Sequence, residues 1–263
     1  MGLDQGVPHM IPFREFVEQN SFIICAHRGA SGIAPENTVA AVTSALDSGA
    51  PMIEIDVQYT RDHQMVVFHD DTIERTTDGT GAISEKSLEE VQRLDAGSWF
   101  GPSFAGERVP KLVEVLELIR GRAYVNLEIK PRPDTEDARK ETLELIELLR
   151  SMSMLDMCLF SSFDHRAIRF VRTLMPDLPM LALNVPGDTR SPARVVRDSG
   201  ADAFGCSLEE LTPAVVRNCN QFGIPVGVYT VNTPEELNHV VSMGVIGLVT
   251  NNPHIIVSAY EAL

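Results

Sequence analysis

Two acids, Glu54 and Asp56, stand two positions apart inside the apolar run Met52-Ile53-Glu54-Ile55-Asp56-Val57. On a β-strand that spacing puts both carboxylates on one face and Ile53, Ile55 and Val57 on the other. Carboxylates held this close repel unless a cation or a shared proton intervenes. Downstream, Val66-Val67-Phe68 reads as a further strand ending on His69, a side chain able to move protons near neutral pH. Glu128 and Lys130 repeat the two-apart spacing on another strand. Glu54, Asp56 and Glu128 together form an oxygen-donor set suited to Mg²⁺, Ca²⁺ or Mn²⁺. An edge strand with one solvated face would show the same acid spacing. The apolar flanks and the second charged pair weigh against that and favour a metal-assisted site.

These side chains need a scaffold, and the chain reads as alternating strands and helices. A short apolar strand over 22–26 runs into His27-Arg28-Gly29-Ala30-Ser31-Gly32, and a helix over 39–47 stops at Gly49. The strand carrying Glu54 and Asp56 follows. From Asp70 to about Pro110 the alternation lapses into turn-forming sequence, with a capping-box pattern at 87–90 and the only tryptophan, Trp99. A segment of that length reads as a functional cover or small insertion after the second strand. Beyond it, strands over 124–129, 157–160, 180–183, 203–206, 225–231 and 246–249 alternate with helices, several opening on Thr-Pro. Eight principal strands, each followed by a helix, predict one (β/α)8 TIM barrel spanning 1–263, with 70–110 inserted in it. An open doubly wound sheet is the alternative, weakened because no Gly-rich dinucleotide fingerprint follows any strand. In a barrel the site lies at the C-terminal strand ends. His27, Arg28, Ser161, Ser162 and Asn232 therefore join the acids as candidates.

The 263 residues are 44% hydrophobic and 22% charged, enough to bury a sizeable core. The formal net charge of −15 excludes a nucleic-acid or anionic-membrane surface built on basic patches. A small phosphate ester remains compatible if a cation offsets the field locally. No run reaches the roughly 18 apolar residues of a membrane span, and residues 1–20 show no basic start followed by an apolar stretch. A cytoplasmic protein is expected; the sequence carries no signal for oligomeric state. Cys25, Cys158, Cys206 and Cys219 lack metal-type spacing and are expected to be free thiols. His63 and His165 sit among polar residues and read as surface, while His9, His239 and His254 have no evident partner.

The motifs Ala26-His27-Arg28-Gly29, Ala34-Pro35-Glu36-Asn37-Thr38, Glu54-Ile55-Asp56-Val57, Val67-Phe68-His69-Asp70 with Arg75-Thr76-Thr77, and Asn126-Leu127-Glu128-Ile129-Lys130 occur in that order. Ser162-Phe163 and Val228-Tyr229-Thr230-Val231-Asn232 follow. Together they resemble the glycerophosphodiester phosphodiesterase family over nearly the whole chain. The resemblance implies a TIM barrel with an insertion after the second strand. It also implies hydrolysis of glycerophosphodiesters to glycerol 3-phosphate and an alcohol, using one divalent cation. It implies His27 and His69 as the general acid/base pair and Glu54, Asp56 and Glu128 as metal ligands. Arg28 and Lys130 would hold phosphate oxygens, Phe163 and Tyr229 would contact substrate, and Glu36 and Asn37 would orient the first histidine. The attacking group implied is either the substrate's own 2-hydroxyl or water.

Two departures stand out. Tyr229 occupies a position where the family commonly has tryptophan, beside the glycerol. The closing motif, usually Gly-x-Asp-Gly then Thr-Asp-x-Pro, here reads Gly244-Val245-Ile246-Gly247 and Thr250-Asn251-Asn252-Pro253. Loss of both acids bears on packing or substrate preference at the last strand. Two other function classes fit parts of the pattern: a lysophospholipase D-like enzyme, which would lack the insertion, and a non-catalytic binding module, which would have lost a histidine or a ligand acid.

Overall fold

A computed structural model describes residues 10–133 and 135–263. The strands are β1 (Ile23–His27), β2 (Met52–Tyr59), β3 (Met65–Val67), β4 (Tyr124–Ile129), β5 (Cys158–Ser162), β6 (Met180–Leu183), β7 (Ala203–Ser207), β8 (Val226–Tyr229) and β9 (Gly247–Thr250). The helices are α1 (Phe13–Gln19), α2 (Val39–Asp47), α3 (Leu88–Val91), α4 (Leu112–Ile119), α5 (Glu136–Ser151), α6 (His165–Leu174), α7 (Pro192–Ser199), α8 (Pro213–Gln221), α9 (Pro234–Ser242) and α10 (Pro253–Glu261).

Closure decides the architecture. β1 pairs in parallel with both β2 and β9, and β2, β4, β5, β6, β7, β8 and β9 pair in parallel in turn. The result is a closed eight-stranded parallel barrel rather than an open sheet. β3 lies outside the ring, antiparallel to β2, with Val57 opposite Val67. The strand period sorts the side chains as expected. Ile53, Ile55, Val57, Val125 and Leu127 join the main core under the helices, while Glu54, Asn126 and Glu128 face the barrel interior. Thr38, Thr135, Ser191, Thr212 and Thr233 cap their helices by accepting a backbone N–H, and prolines open α7, α8 and α9. Each such cap is worth about 1 kcal/mol.

Between β3 and α4 the chain builds a separate small core of Val66, Phe68, Ile73, Ile83, Val91, Ala96 and Val109. Its stem is held to the barrel by the Phe68 N–H on the Asp56 carbonyl at 3.1 Å, which fixes where His69 emerges. Trp99 is half-exposed, donates to the Ala96 carbonyl at 2.9 Å and packs edge-on against Phe100.

α1 has no counterpart in the sequence expectations. Phe13, Phe16 and Val17 recur at helical spacing, but over only seven residues. The helix covers the N-terminal mouth of the barrel, where Phe13 packs with Ile23, Met52 and Tyr124, the first residues of three strands. Phe16 stacks on Tyr124 at 4.3 Å, and the Tyr124 hydroxyl donates to the Ile11 carbonyl at 2.9 Å. Burying Phe13 in this way contributes about 2–3 kcal/mol.

One histidine expectation fails. His165 is buried, not surface: its Nε2 donates to the Leu183 carbonyl at 2.9 Å while Nδ1 accepts from Arg190 at 3.1 Å. His63 is half-exposed, with Nδ1 2.7 Å from Glu141 Oε1. His9 lies outside the described residues. All four cysteines are free and buried. Among the described residues no helix is long and apolar enough to cross a membrane.

Candidate active site

β2 and β4 run side by side with Asp56 opposite Glu128 and Glu54 opposite Asn126. This register brings one ligand oxygen from each of Glu54, Asp56 and Glu128 within 4.8 Å of the others, and all three residues are buried. A cavity of about 520 Å³ extends from Glu54 and Glu128 down the barrel toward α1, and His27, Arg28, His69, Phe163 and Tyr229 also line it. Lys130 emerges one residue past β4 and turns back, with Nζ 3.0 Å from Asp56 Oδ1 and 2.6 Å from Glu128 Oε1. Arg28 Nε lies 3.4 Å from Asp56, its backbone N–H donates to Glu54 Oε2 at 2.8 Å, and its Nη1 donates to Glu36 at 2.6 Å. Both cations thus face carboxylates, and Arg28 also lines the cavity.

Burial, reinforced by the charges of Asp56 and Glu128, pushes the Glu54 carboxyl well above its ordinary range. Burial would raise Asp56 too, but Lys130 and Arg28 outweigh it and hold that group low. Glu128 is raised by burial and by Asp56 against the pull of Lys130. Glu54 Oε1 is buried without a hydrogen-bond partner. An uncompensated buried anion costs several kcal/mol, and three convergent hard oxygen donors with one unsatisfied atom fit a divalent cation.

The two histidines are tied differently. His27 ends β1, and its Nδ1 lies 2.7 Å from Asn251 Oδ1, just past β9. Burial, then the neighbouring Arg28, lowers its pKa to about 4, against the opposing pull of Asn251 and Asp56. His69 has its Nδ1 2.5 Å from Asp70 Oδ1. Asp70 in turn accepts from Arg75 Nε at 2.5 Å, and Arg75 also donates twice to Glu36, at 2.8 and 2.7 Å. Partial burial would raise Asp70, but the hydrogen bonds from Arg75 and His69 leave its pKa at about 2. A chain of contacts therefore runs from His69 to Asp70 and on, with alternating charge, through Arg75, Glu36 and Arg28 to Asp56.

Residues 27–255 match the sequence profile of the glycerophosphoryl diester phosphodiesterase family. The chain belongs to that family. YhdW of Bacillus subtilis is 38% identical over 237 residues, covering 89% of this chain and 96% of that protein. The glycerophosphodiester phosphodiesterase of Caldanaerobacter subterraneus subsp. tengcongensis is 35% identical over 237 residues, 90% of this chain and 96% of that one. The structure of an Oleispira antarctica phosphodiesterase in complex with the product sn-glycerol-3-phosphate is similar with a TM-score of 0.85 at 30% identity. It covers 93% of this chain and 99% of that one. Membership makes this chain an enzyme, a phosphodiesterase of the glycerophosphodiester class.

Within that family frame, His27, Arg28, Glu54, His69, Glu128, Phe163 and Tyr229 line one cavity, and Asp56 and Lys130 stand behind its wall in contact with Arg28 and Glu128. Phe163 and Tyr229 meet edge to face at 6.0 Å. One expectation from the resemblance is corrected. Glu36 and Asn37 do not contact His27: Glu36 bridges Arg28 and Arg75, and Asn37 donates to Asp56 Oδ2 at 2.7 Å. The group on His27 is Asn251, which the sequence offered only as a departure from the closing motif. Of the other strand-end candidates, Ser162 Oγ donates to the Ile129 carbonyl at 2.6 Å, and Asn232 Oδ1 accepts the Asn251 N–H at 2.8 Å. Ser161 Oγ and Asn126 Oδ1 are buried at the cavity without a protein partner. Asn126 gave no signal beyond its place in a motif.

Proposed function

We propose that the chain hydrolyses glycerophosphodiesters to glycerol 3-phosphate and an alcohol, with one divalent cation held by Glu54, Asp56 and Glu128. The observation that carries this reading is the cluster of three buried carboxylates, two of which line one cavity together with both histidines. When bound, the cation supplies Lewis-acid stabilisation to the charged phosphoryl oxygens. Arg28 and Lys130 add positive charge beside the same carboxylates, so a phosphodiester anion meets cations rather than the bare acids. His27 and His69 move the protons: one takes the proton of the attacking hydroxyl and the other gives a proton to the departing alcohol. Asp70, anchored by Arg75, holds Nδ1 of His69 and orients its ring. Phe163 and Tyr229 offer apolar faces to the carbon skeleton of the glycerol end. The alcohol is left largely in solvent, because a cage for a quaternary ammonium needs several aromatics and Trp99 packs within the insertion instead.

The test is turnover of soluble glycerophosphocholine by the intact protein after EDTA treatment, followed by add-back of Mg²⁺, Ca²⁺ or Mn²⁺. Circular dichroism serves as the fold control. Activity should vanish on chelation with the circular dichroism unchanged, and return with at least one cation. Full turnover after rigorous chelation would refute the metal assignment. Activity confined to lysolipid micelles would point to the lysophospholipase D-like class, and no turnover of either substrate to a binding module.

A further inference from the structure

We infer that Asn251 is a positioning residue for the reaction: its side-chain oxygen holds the Nδ1–H of His27, leaving the Nε2 lone pair of that ring for the substrate. The inference rests on the reading of His27 as a proton-transfer group. An amide oxygen only accepts hydrogen bonds, so at 2.7 Å the imidazole proton belongs on Nδ1. Nε2, on the other edge of a ring that lines the cavity, is then the site able to take a proton. As the attacking O–H bond breaks, that proton passes to Nε2 while the oxygen's electron pair forms the bond to phosphorus. The phosphorus–oxygen bond to the departing alcohol breaks, its electron pair leaving on that oxygen, which takes a proton from His69.

The placement of Asn251 is over-determined. Ser31 Oγ donates to the same oxygen at 3.1 Å, which turns the acceptor end of the amide toward the β1 loop. The Asn251 N–H donates to Asn232 Oδ1 at 2.8 Å, and its carbonyl accepts the Gly32 N–H at 2.8 Å. A Cβ on Gly32 would stand 2.0 Å from Asn252 Oδ1 and 2.9 Å from the Asn251 carbonyl, so the two loops meet this closely only because residue 32 is glycine. The partner is also uncharged. It orients the ring without adding a fourth negative charge to a site that already holds three carboxylates, whereas His69, nearer the insertion, is given a carboxylate.

The experiment is ¹⁵N NMR of the full-length, histidine-labelled protein, with the His27 ring assigned by its loss in His27→Ala, alongside kcat and KM. In the wild type, His27 should show a protonated Nδ1 and an unprotonated Nε2 near neutral pH. Asn251→Leu should move the ring toward the Nε2–H form and lower kcat about 10²-fold, at the low end for loss of a proton-transfer group, with KM changed far less. Asn251→Asp, which restores an acceptor, should keep the Nδ1–H form and most of kcat. Ser31→Ala, a milder change, should yield a mixture of ring forms and a few-fold lower kcat even if Asn251→Leu fails to fold. A wild-type His27 in the Nε2–H form overturns the inference, as does Asn251→Leu with wild-type ring form and kcat. Failure of the catalytic reading of His27 would show separately, as near-normal kcat in His27→Ala.

Discussion

His27 and His69 reach the same carboxylates from different parts of the molecule, and their settings differ in charge, in reach and in burial. His27 ends a barrel strand and takes its partner, Asn251, from 224 residues away, through an uncharged hydrogen bond inside the barrel rim. His69 stands where the chain leaves β3 for the insertion and takes its partner from the next residue, Asp70, with Arg75 and Glu36 behind it. A buried ring with a neutral partner favours the uncharged state, suited to accepting a proton. The His69 ring is held instead by a carboxylate, with Nδ1 2.5 Å from Asp70 Oδ1. Two chemically identical side chains thereby sit in different settings, the barrel supplying one and the insertion the other.

Removing the carboxylate from the His69 side is the sharpest way to break this contrast. Partners that orient a histidine are worth about 10–100-fold in metal sites, and Asp70→Asn is expected to lower kcat in that range while leaving the His27 ring unchanged by NMR. Steady-state kinetics check it. Equal ring perturbation at both histidines would mean that they form one undivided network. Because Asp70 titrates near pH 2 in the fold, below an ordinary aspartate near 3.9, its contribution to stability is full above about pH 4. That contribution is lost as pH falls toward 2. The smallest effect belongs to His63, half-exposed and paired with Glu141 far from the cavity lining. His63→Ala should leave kcat at the wild-type value, and a marked loss would move the proton chemistry away from the two cavity histidines.

What the sequence disclosed follows the same division. The residues around His69, Asp70 and Arg75 among them, stood out as one local motif, but that they bond to one another and to Glu36 was not read from it. The acid pair on β2 was visible because strand geometry fixes which residues share a face, and the barrel because strand and helix alternated eight times. The partner of His27 was not visible, since contact between the β1 and β9 loops exists only once the barrel closes. Asn251 therefore read as a mere departure at the last strand. α1 escaped for another reason: seven residues with one apolar stripe are too short to stand out, and their burial depends on a barrel floor supplied by Ile23, Met52 and Tyr124. His165 was misread because polar neighbours in sequence say little about a residue that opens a helix facing Leu183 and Arg190.

The division of labour between the two histidines is tested most directly by kcat on a glycerophosphodiester for His27→Ala, His69→Ala and the double variant, each shown to be folded and measured with saturating cation. Each single replacement should lower kcat by about 10²–10⁴-fold with KM changed much less. The double replacement should cost little more than either alone, because groups that act as a unit are strongly non-additive. Near wild-type kcat in both single variants would contradict the pairing outright.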